Sequence, residues 1–144
     1  MKNNINIKEY VDKILNAIET KLADPQRETA KKLVTDFLNS CNDYVTAVYN
    51  METSIQVARF RLDDNEYRET IMRLDRNRKT CHNCLVNSVN IINRIADMVN
   101  CEHVLETKDV EERQNRRNCG NLAIEVVKAY FDARIITYAY DKHW

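Results

Sequence analysis

The residues best suited to chemistry stand together in one stretch, Leu74-Asp75-Arg76-Asn77-Arg78-Lys79-Thr80-Cys81-His82-Asn83-Cys84-Leu85. Thiolates and imidazole are zinc ligands. Cys81 and Cys84, three residues apart, share a face if this stretch is helical, and antiparallel packing brings Cys41 and Cys119 to a similar height. Against a metal centre stands the single Cys-x-x-Cys, set on a continuous helix, where a structural zinc site commonly draws on two such pairs. Unpaired cysteine is also a common small core residue. The reading is therefore packing, with no metal and no cofactor. Haem attachment requires a histidine after the second cysteine, and His82 lies inside the pair. A ferritin-like di-iron centre requires Glu-x-x-His, but the residues three before His82, His103 and His143 are Lys79, Asn100 and Tyr140.

Nucleic-acid chemistry is a second possibility. Arg76-Asn77-Arg78-Lys79-Thr80-Cys81-His82 resembles the Arg-polar-x-x-x-His signature of HEPN-type domains, small helical bundles of which many are dimeric, metal-independent ribonucleases. The resemblance implies His82 as acid/base for a ribose 2′-hydroxyl, Arg76 as phosphate stabiliser and Asn77 in support. A nucleotide-binding bundle using Arg76 and His82 is a variant of the same reading. The Arg-to-His spacing is at the long end for that family. On a regular helix it sets the two side chains about 120° apart, so they converge only across a dimer interface or at a helix break. Arg78 and His82, four apart, do share a face but depart from the motif.

The architectural alternative is a buried polar layer. Arg78 occupies an apolar seam, and a charge there needs a partner. Antiparallel register offers Glu125 and Asp132 downstream, or Asp43 and Glu52 upstream. The longer run Arg78 to Arg94, with His82-Asn83, Leu85-Val86, Ser88-Val89-Asn90 and Ile92-Asn93-Arg94, resembles an uncharacterised bacterial all-helical domain family. That resemblance implies a fold and no function. Asn83, Asn87, Asn90 and Arg94 form a polar stripe, which is either a solvated face or, with Arg113, Arg116 and Arg117, a group for an anionic ligand. The register sets residue 90 near residue 117. His103 and His143, near a connection and the C-terminus, are expected to be solvated.

The elements that must position these groups are helices. The 144 residues include one glycine, Gly120, and one proline, Pro25. Sheets need turns, and turns consume Gly and Pro. Ile7, Tyr10, Val11, Ile14, Leu15, Ile18 and Leu22 recur at helical spacing and predict helix 1 over about Ile7 to Ala23. Asp24-Pro25 ends it and starts helix 2, which runs to about Leu62 with the seam Leu33, Phe37, Cys41, Tyr44, Val48, Met51, Ile55, Ala58, Leu62. Asp63 or Asp64 caps helix 3, about Asn65 to Asn100, whose seam Tyr67, Ile71, Leu74, Arg78, Cys81, Leu85, Ser88, Ile92, Ile95, Val99 is interrupted by Arg78 and Ser88. Residues 101 to 107 are a connection. Helix 4 starts near Thr107 or Asp109, opens polar, and becomes apolar on two faces from Leu122 to Tyr140, with a kink or split near Gly120.

Short connections make consecutive helices antiparallel neighbours. The expected fold is one domain, residues 1–144: an all-α up-down bundle of four helices, three long and one short, or five with a break near Gly120. Helix 1 covers only half of helix 2. The other half carries Tyr44, Tyr49, Phe60, Tyr67, Tyr130, Phe131, Tyr138, Tyr140 and Trp144, and a helix apolar on two faces must be buried on two sides. A homodimer through this aromatic-rich half is the expectation that follows.

Composition narrows the class further. Lys and Arg number 22, and so do Asp and Glu, so general nucleic-acid affinity finds no basic excess. No apolar run is long enough to span a bilayer. Five scattered cysteines do not read as a secreted disulfide framework, and a reducing cytoplasm is the expected location. Abundant Asn, Lys and Ile suggest an AT-rich, bacterial genome. The sequence specifies no activity. The class it best fits is a non-enzymatic cytoplasmic interaction or regulatory bundle with a protein partner, and nucleic acid enters only under the HEPN-like alternative.

Overall fold

The computed structural model describes residues 6–61, 63–107, 110 and 122–131. The fold is an all-α up-down bundle of four helices. The short helix α1 spans Ile7–Lys21, and the long helices α2 and α3 span Gln26–Arg61 and Asp64–Met98. A fourth, α4, is described over residues 122–130.

Local chemistry sets the boundaries. Asn6 caps α1, its side-chain oxygen accepting from the Glu9 amide at 3.0 Å. Asp63 caps α3 in the same way, accepting from the Glu66 amide at 2.8 Å. Each satisfies a backbone donor that the first helical turn leaves without a partner. Helix α3 stops two residues short of the expected Asn100. Asn100 adopts φ 59°, its amide donates to the Asp97 carbonyl at 3.2 Å, and the Cys101 amide donates to the Ala96 carbonyl at 2.8 Å. This is a Schellman closure with asparagine in the left-handed position usually taken by glycine.

Helix α1 runs beside α3 in the same direction. The Tyr10 hydroxyl donates to Asn93 Oδ1 at 2.7 Å, and one helical stretch later Lys21 Nζ donates to the Val99 carbonyl at 2.7 Å. Helix α4 closes on α1, with the Tyr130 hydroxyl donating to Asp12 Oδ1 at 2.6 Å. The core gathers Val11, Ile14 and Ile18 of α1, Val34, Phe37 and Cys41 of α2, Leu85, Val89 and Ile92 of α3, and Val126 and Val127 of α4. These are the apolar faces that helical spacing marks out, and each fully buried Val, Ile or Phe contributes roughly 1.5–3 kcal/mol.

Residues 101–106 take no helical conformation, and a short turn follows at Thr107. This segment returns along α3. Asn93 Nδ2 donates to the Leu105 carbonyl at 2.7 Å, Thr107 Oγ1 donates to Asn90 Oδ1, and the Val110 carbonyl meets His82. Residue 90 therefore sits against residue 107. The expected start of helix 4 near Asp109, its polar half with Arg117, and the break near Gly120 lie outside the described residues.

Among the described residues the aromatic-rich half does not form, and the homodimer expected through it is overturned. No aromatic cluster exists among the described residues. Tyr44 is buried in the core, with its ring 5.9 Å from that of His82. Tyr130 reaches α1, and Phe60 stands 85% exposed. The reason lies in helix geometry. Sixteen residues separate Tyr44 from Phe60, which turns their side chains to nearly opposite sides of α2. Tyr138, Tyr140 and Trp144 lie outside the described residues.

Candidate functional site

The middle of α3 carries the polar run Asp75 to Thr80, followed by His82 and Asn83, and burial divides these residues. Arg78 is 1% exposed and His82 is 3% exposed. They stand four residues apart, on the face turned to the core. Arg76, Asn77 and Lys79 are exposed. The structure thus leaves Arg76 and His82 on different faces of one continuous helix, as their spacing dictates on an unbroken α3.

His82 is tied to the backbone. Its Nε2 lies 2.6 Å from the Val110 carbonyl, a buried acceptor that fixes Nε2 as the protonated nitrogen. The Tyr44 ring, tilted by 56°, packs against the imidazole. The Arg78 guanidinium donates through Nε and Nη2 to Asp75 Oδ1, at 3.3 and 3.2 Å. Asp75, an acid of the same helix one turn earlier, is thus one salt-bridge partner of Arg78. Of the longer-range acids offered by register, Asp43 and Glu125 are exposed, Glu52 is half-buried and Asp132 lies outside the described residues. Lys79 Nζ takes the second Asp75 oxygen at 3.2 Å. Burial opposes ionisation of Asp75, but the bonds from Lys79 and Arg78 outweigh it and hold this carboxyl below the usual range.

The thiols complete the cluster. Cys81 is half-buried, Cys84 is exposed and Cys41 is buried. Burial, the Asp43 carboxylate and the neighbouring Cys84 push the Cys81 thiol up, which reduces the thiolate needed for metal binding or nucleophilic attack. Among the described residues no group of three or more His, Cys, Asp or Glu is placed to hold a metal. Cys119 lies outside them. Ser88, the other polar residue of the seam, meets Ser40 of α2, Oγ to Oγ, at 2.9 Å, and donates to the Cys84 carbonyl at 2.9 Å.

A second polar group forms where α1, α3 and the returning segment meet. Asn93, 6% exposed, accepts from Tyr10 and donates to the Leu105 carbonyl. Its own carbonyl lies 3.0 Å from His103 Nε2. His103 is not a solvated side chain. Its Nε2 also lies 2.7 Å from Asp97 Oδ1, and its Nδ1 lies 3.4 Å from Glu106 Oε1. The sequence carried a usable signal here: a histidine just past a helix end, with acids six residues before and three after.

The outer face of α3 is polar and open. Asn83, Asn87, Asn90 and Arg94 are all exposed, and Thr107 occupies one edge of the stripe through Asn90. Arg113, Arg116 and Arg117 lie outside the described residues. An apolar pocket opens between the start of α2 and the end of α3, lined by Pro25, Gln26, Thr29, Ala30, Leu33, Ile95 and Met98. It holds no titratable group.

A family model for a protein of unknown function, DUF3232, matches residues 2–136. The chain belongs to the DUF3232 family. The match contains the whole run from Arg78 to Arg94, which carries the resemblance to an uncharacterised helical family. No curated protein and no solved structure matches the DUF3232 chain. Among the described residues no helix is long and apolar enough to cross a membrane.

Proposed function

We propose that this DUF3232 protein acts by binding, as a non-enzymatic interaction or regulatory module of the cytoplasm. The observation that carries this reading is the use of His82. A general acid/base must present its nitrogen to substrate. Here Nε2 is committed to the Val110 carbonyl at 2.6 Å, in a buried site, while Arg76 faces solvent elsewhere on the helix. The HEPN-like and nucleotide-binding readings, with His82, Arg76 and Asn77 as a catalytic set, find no support in that placement. The thiols Cys81, Cys84 and Cys101 fit a reducing compartment.

The face best suited to binding is the open stripe of α3. Asn83, Asn87 and Asn90 offer amide donors and acceptors, and Arg94 adds a guanidinium able to grip a carboxylate or phosphate through two bonds. Arg113, Arg116 and Arg117 are proposed to extend this anion-binding group.

Two readouts test the reading. Purified protein is incubated with single-stranded and hairpin RNA and followed on a gel. Intact RNA is the expected result, whereas cleavage lost in both His82→Gln and Arg76→Ala overturns the binding-only view. Isotope-labelled protein is then titrated with tripolyphosphate. Shifts confined to residues 83–94 and abolished by Arg94→Ala support the anion-binding face, and an unperturbed stripe removes it.

A further inference from the structure

The segment 101–107 is held on α3 by a histidine between two carboxylates, and this arrangement has a consequence for regulation. His103 has both ring nitrogens directed at acceptors: Nε2 at Asp97 Oδ1 (2.7 Å) and the Asn93 carbonyl (3.0 Å), Nδ1 at Glu106 Oε1 (3.4 Å). Neutral imidazole has one N–H and one lone pair. In that state one nitrogen must turn its lone pair toward a carboxylate or carbonyl oxygen. Only the doubly protonated ring donates in both directions.

We propose that residues 101–107 form a pH-responsive latch, clamped on α3 when His103 is cationic and loosened when it is neutral. The latch joins three parts of the fold. Asp97 is the last-turn acid of α3, Glu106 belongs to the segment itself, and Tyr10 of α1 donates to the side chain of Asn93, whose carbonyl meets His103. Burial first, and then Cys101, Glu106 and Asp97, push the Tyr10 phenol well above its ordinary range, so it stays neutral. The bases of α1 in this region are engaged elsewhere: Lys13 Nζ with Glu9 at 3.2 Å and Lys21 Nζ with the Val99 carbonyl at 2.7 Å. Among the described residues, the charged groups bonded to His103 are therefore the carboxylates of Asp97 and Glu106.

The titration follows the same direction. Burial of His103 lowers its affinity for a proton, but the hydrogen bond and charge of Asp97, with the Asn93 carbonyl and Glu106, outweigh burial and hold it above the ordinary histidine value. A pKa raised by folding contributes stability that is complete below the ordinary value, about 6.5. That stability is lost as pH rises through the folded value. Opening uncovers Leu105, now fully buried, and the Asn93 amide that holds its carbonyl. This latch is independent of whether the α3 stripe binds anions.

The test uses the full chain. Amide hydrogen-exchange protection factors are measured at Cys101, whose amide bonds to Ala96, and at Val89 of the core, between about pH 5.5 and about pH 8.5, a range that brackets ordinary histidine. Protection at Cys101 is expected to fall several-fold relative to Val89 as pH rises past the His103 midpoint, read from its ring resonances. His103→Gln removes that pH dependence, and Asp97→Asn moves the midpoint down. Parallel pH courses for Cys101 and Val89 in the native protein overturn the latch. So does a pH-dependent loss that persists unchanged in both variants.

Discussion

Asn93 shows how one buried amide can join three elements. Its side chain accepts from Tyr10 of α1 and donates to the Leu105 carbonyl, so both of its polar ends are engaged within the core, where an unmet one is costly. Tyr10→Phe keeps the ring and deletes the donor. It is expected to cost about 1–3 kcal/mol in urea-induced unfolding, because Asn93 Oδ1 then stays buried without that bond. A variant as stable as the native protein would show that Oδ1 finds another donor. At this scale the sequence was readable in part. Arg78 stands on the core face because its position falls in the seam, whereas His82 lies outside that seam, which places Cys81 at this level, and is nonetheless more buried than Cys81. The pairing of Arg78 with Asp75 is not legible from register, which points to acids on neighbouring helices, whereas Asp75 reaches it from one turn away on the same helix. A place near a connection suggests a solvated His103, and the sequence signal against it is the pair of flanking acids, Asp97 and Glu106.

At the scale of elements, sequence pattern and structure agree where apolar periodicity is strong. Helices α1, α2 and α3 begin within a residue of the expected positions, and Asp63 caps α3. The end of α3 was missed because the closure depends on one backbone dihedral, not on periodicity. At that position a β-branched residue carries a steric penalty of roughly 1–2 kcal/mol and glycine carries none. Asn100→Val is therefore expected to lower stability by about that amount, and Asn100→Gly to preserve it, with thermal unfolding as the readout. Equal losses in both variants would mean that the asparagine side chain, not the left-handed backbone, secures the turn. The segment after this closure was read as a plain connection. Its true role, packed along α3 through Leu105 and Thr107, follows from side-chain pairings that no local pattern encodes.

Across the described residues, buried polar groups join the elements of the bundle to one another. Tyr44, His82 and Val110 form one contact group, Ser40 and Ser88 a second, and Tyr10, Asn93, Leu105 and His103 a third. Each links elements distant in sequence, which specifies register in a way that an apolar seam alone does not. The aromatic-rich half failed as a concept because summing aromatics along a length of bundle ignores the side of the helix on which each one stands. Tyr44 and Phe60 share α2 yet face opposite ways.

His82 is proposed to hold the fold together through its bond to Val110 and its packing against Tyr44. Equilibrium urea unfolding of His82→Ala against the native chain tests it most directly. Loss of the bond to the buried Val110 carbonyl, and of the packing against Tyr44, predicts destabilisation of at least about 1–3 kcal/mol with an unchanged dependence on denaturant. A variant that unfolds at the native midpoint would contradict the account and return His82 to the residues available for catalysis.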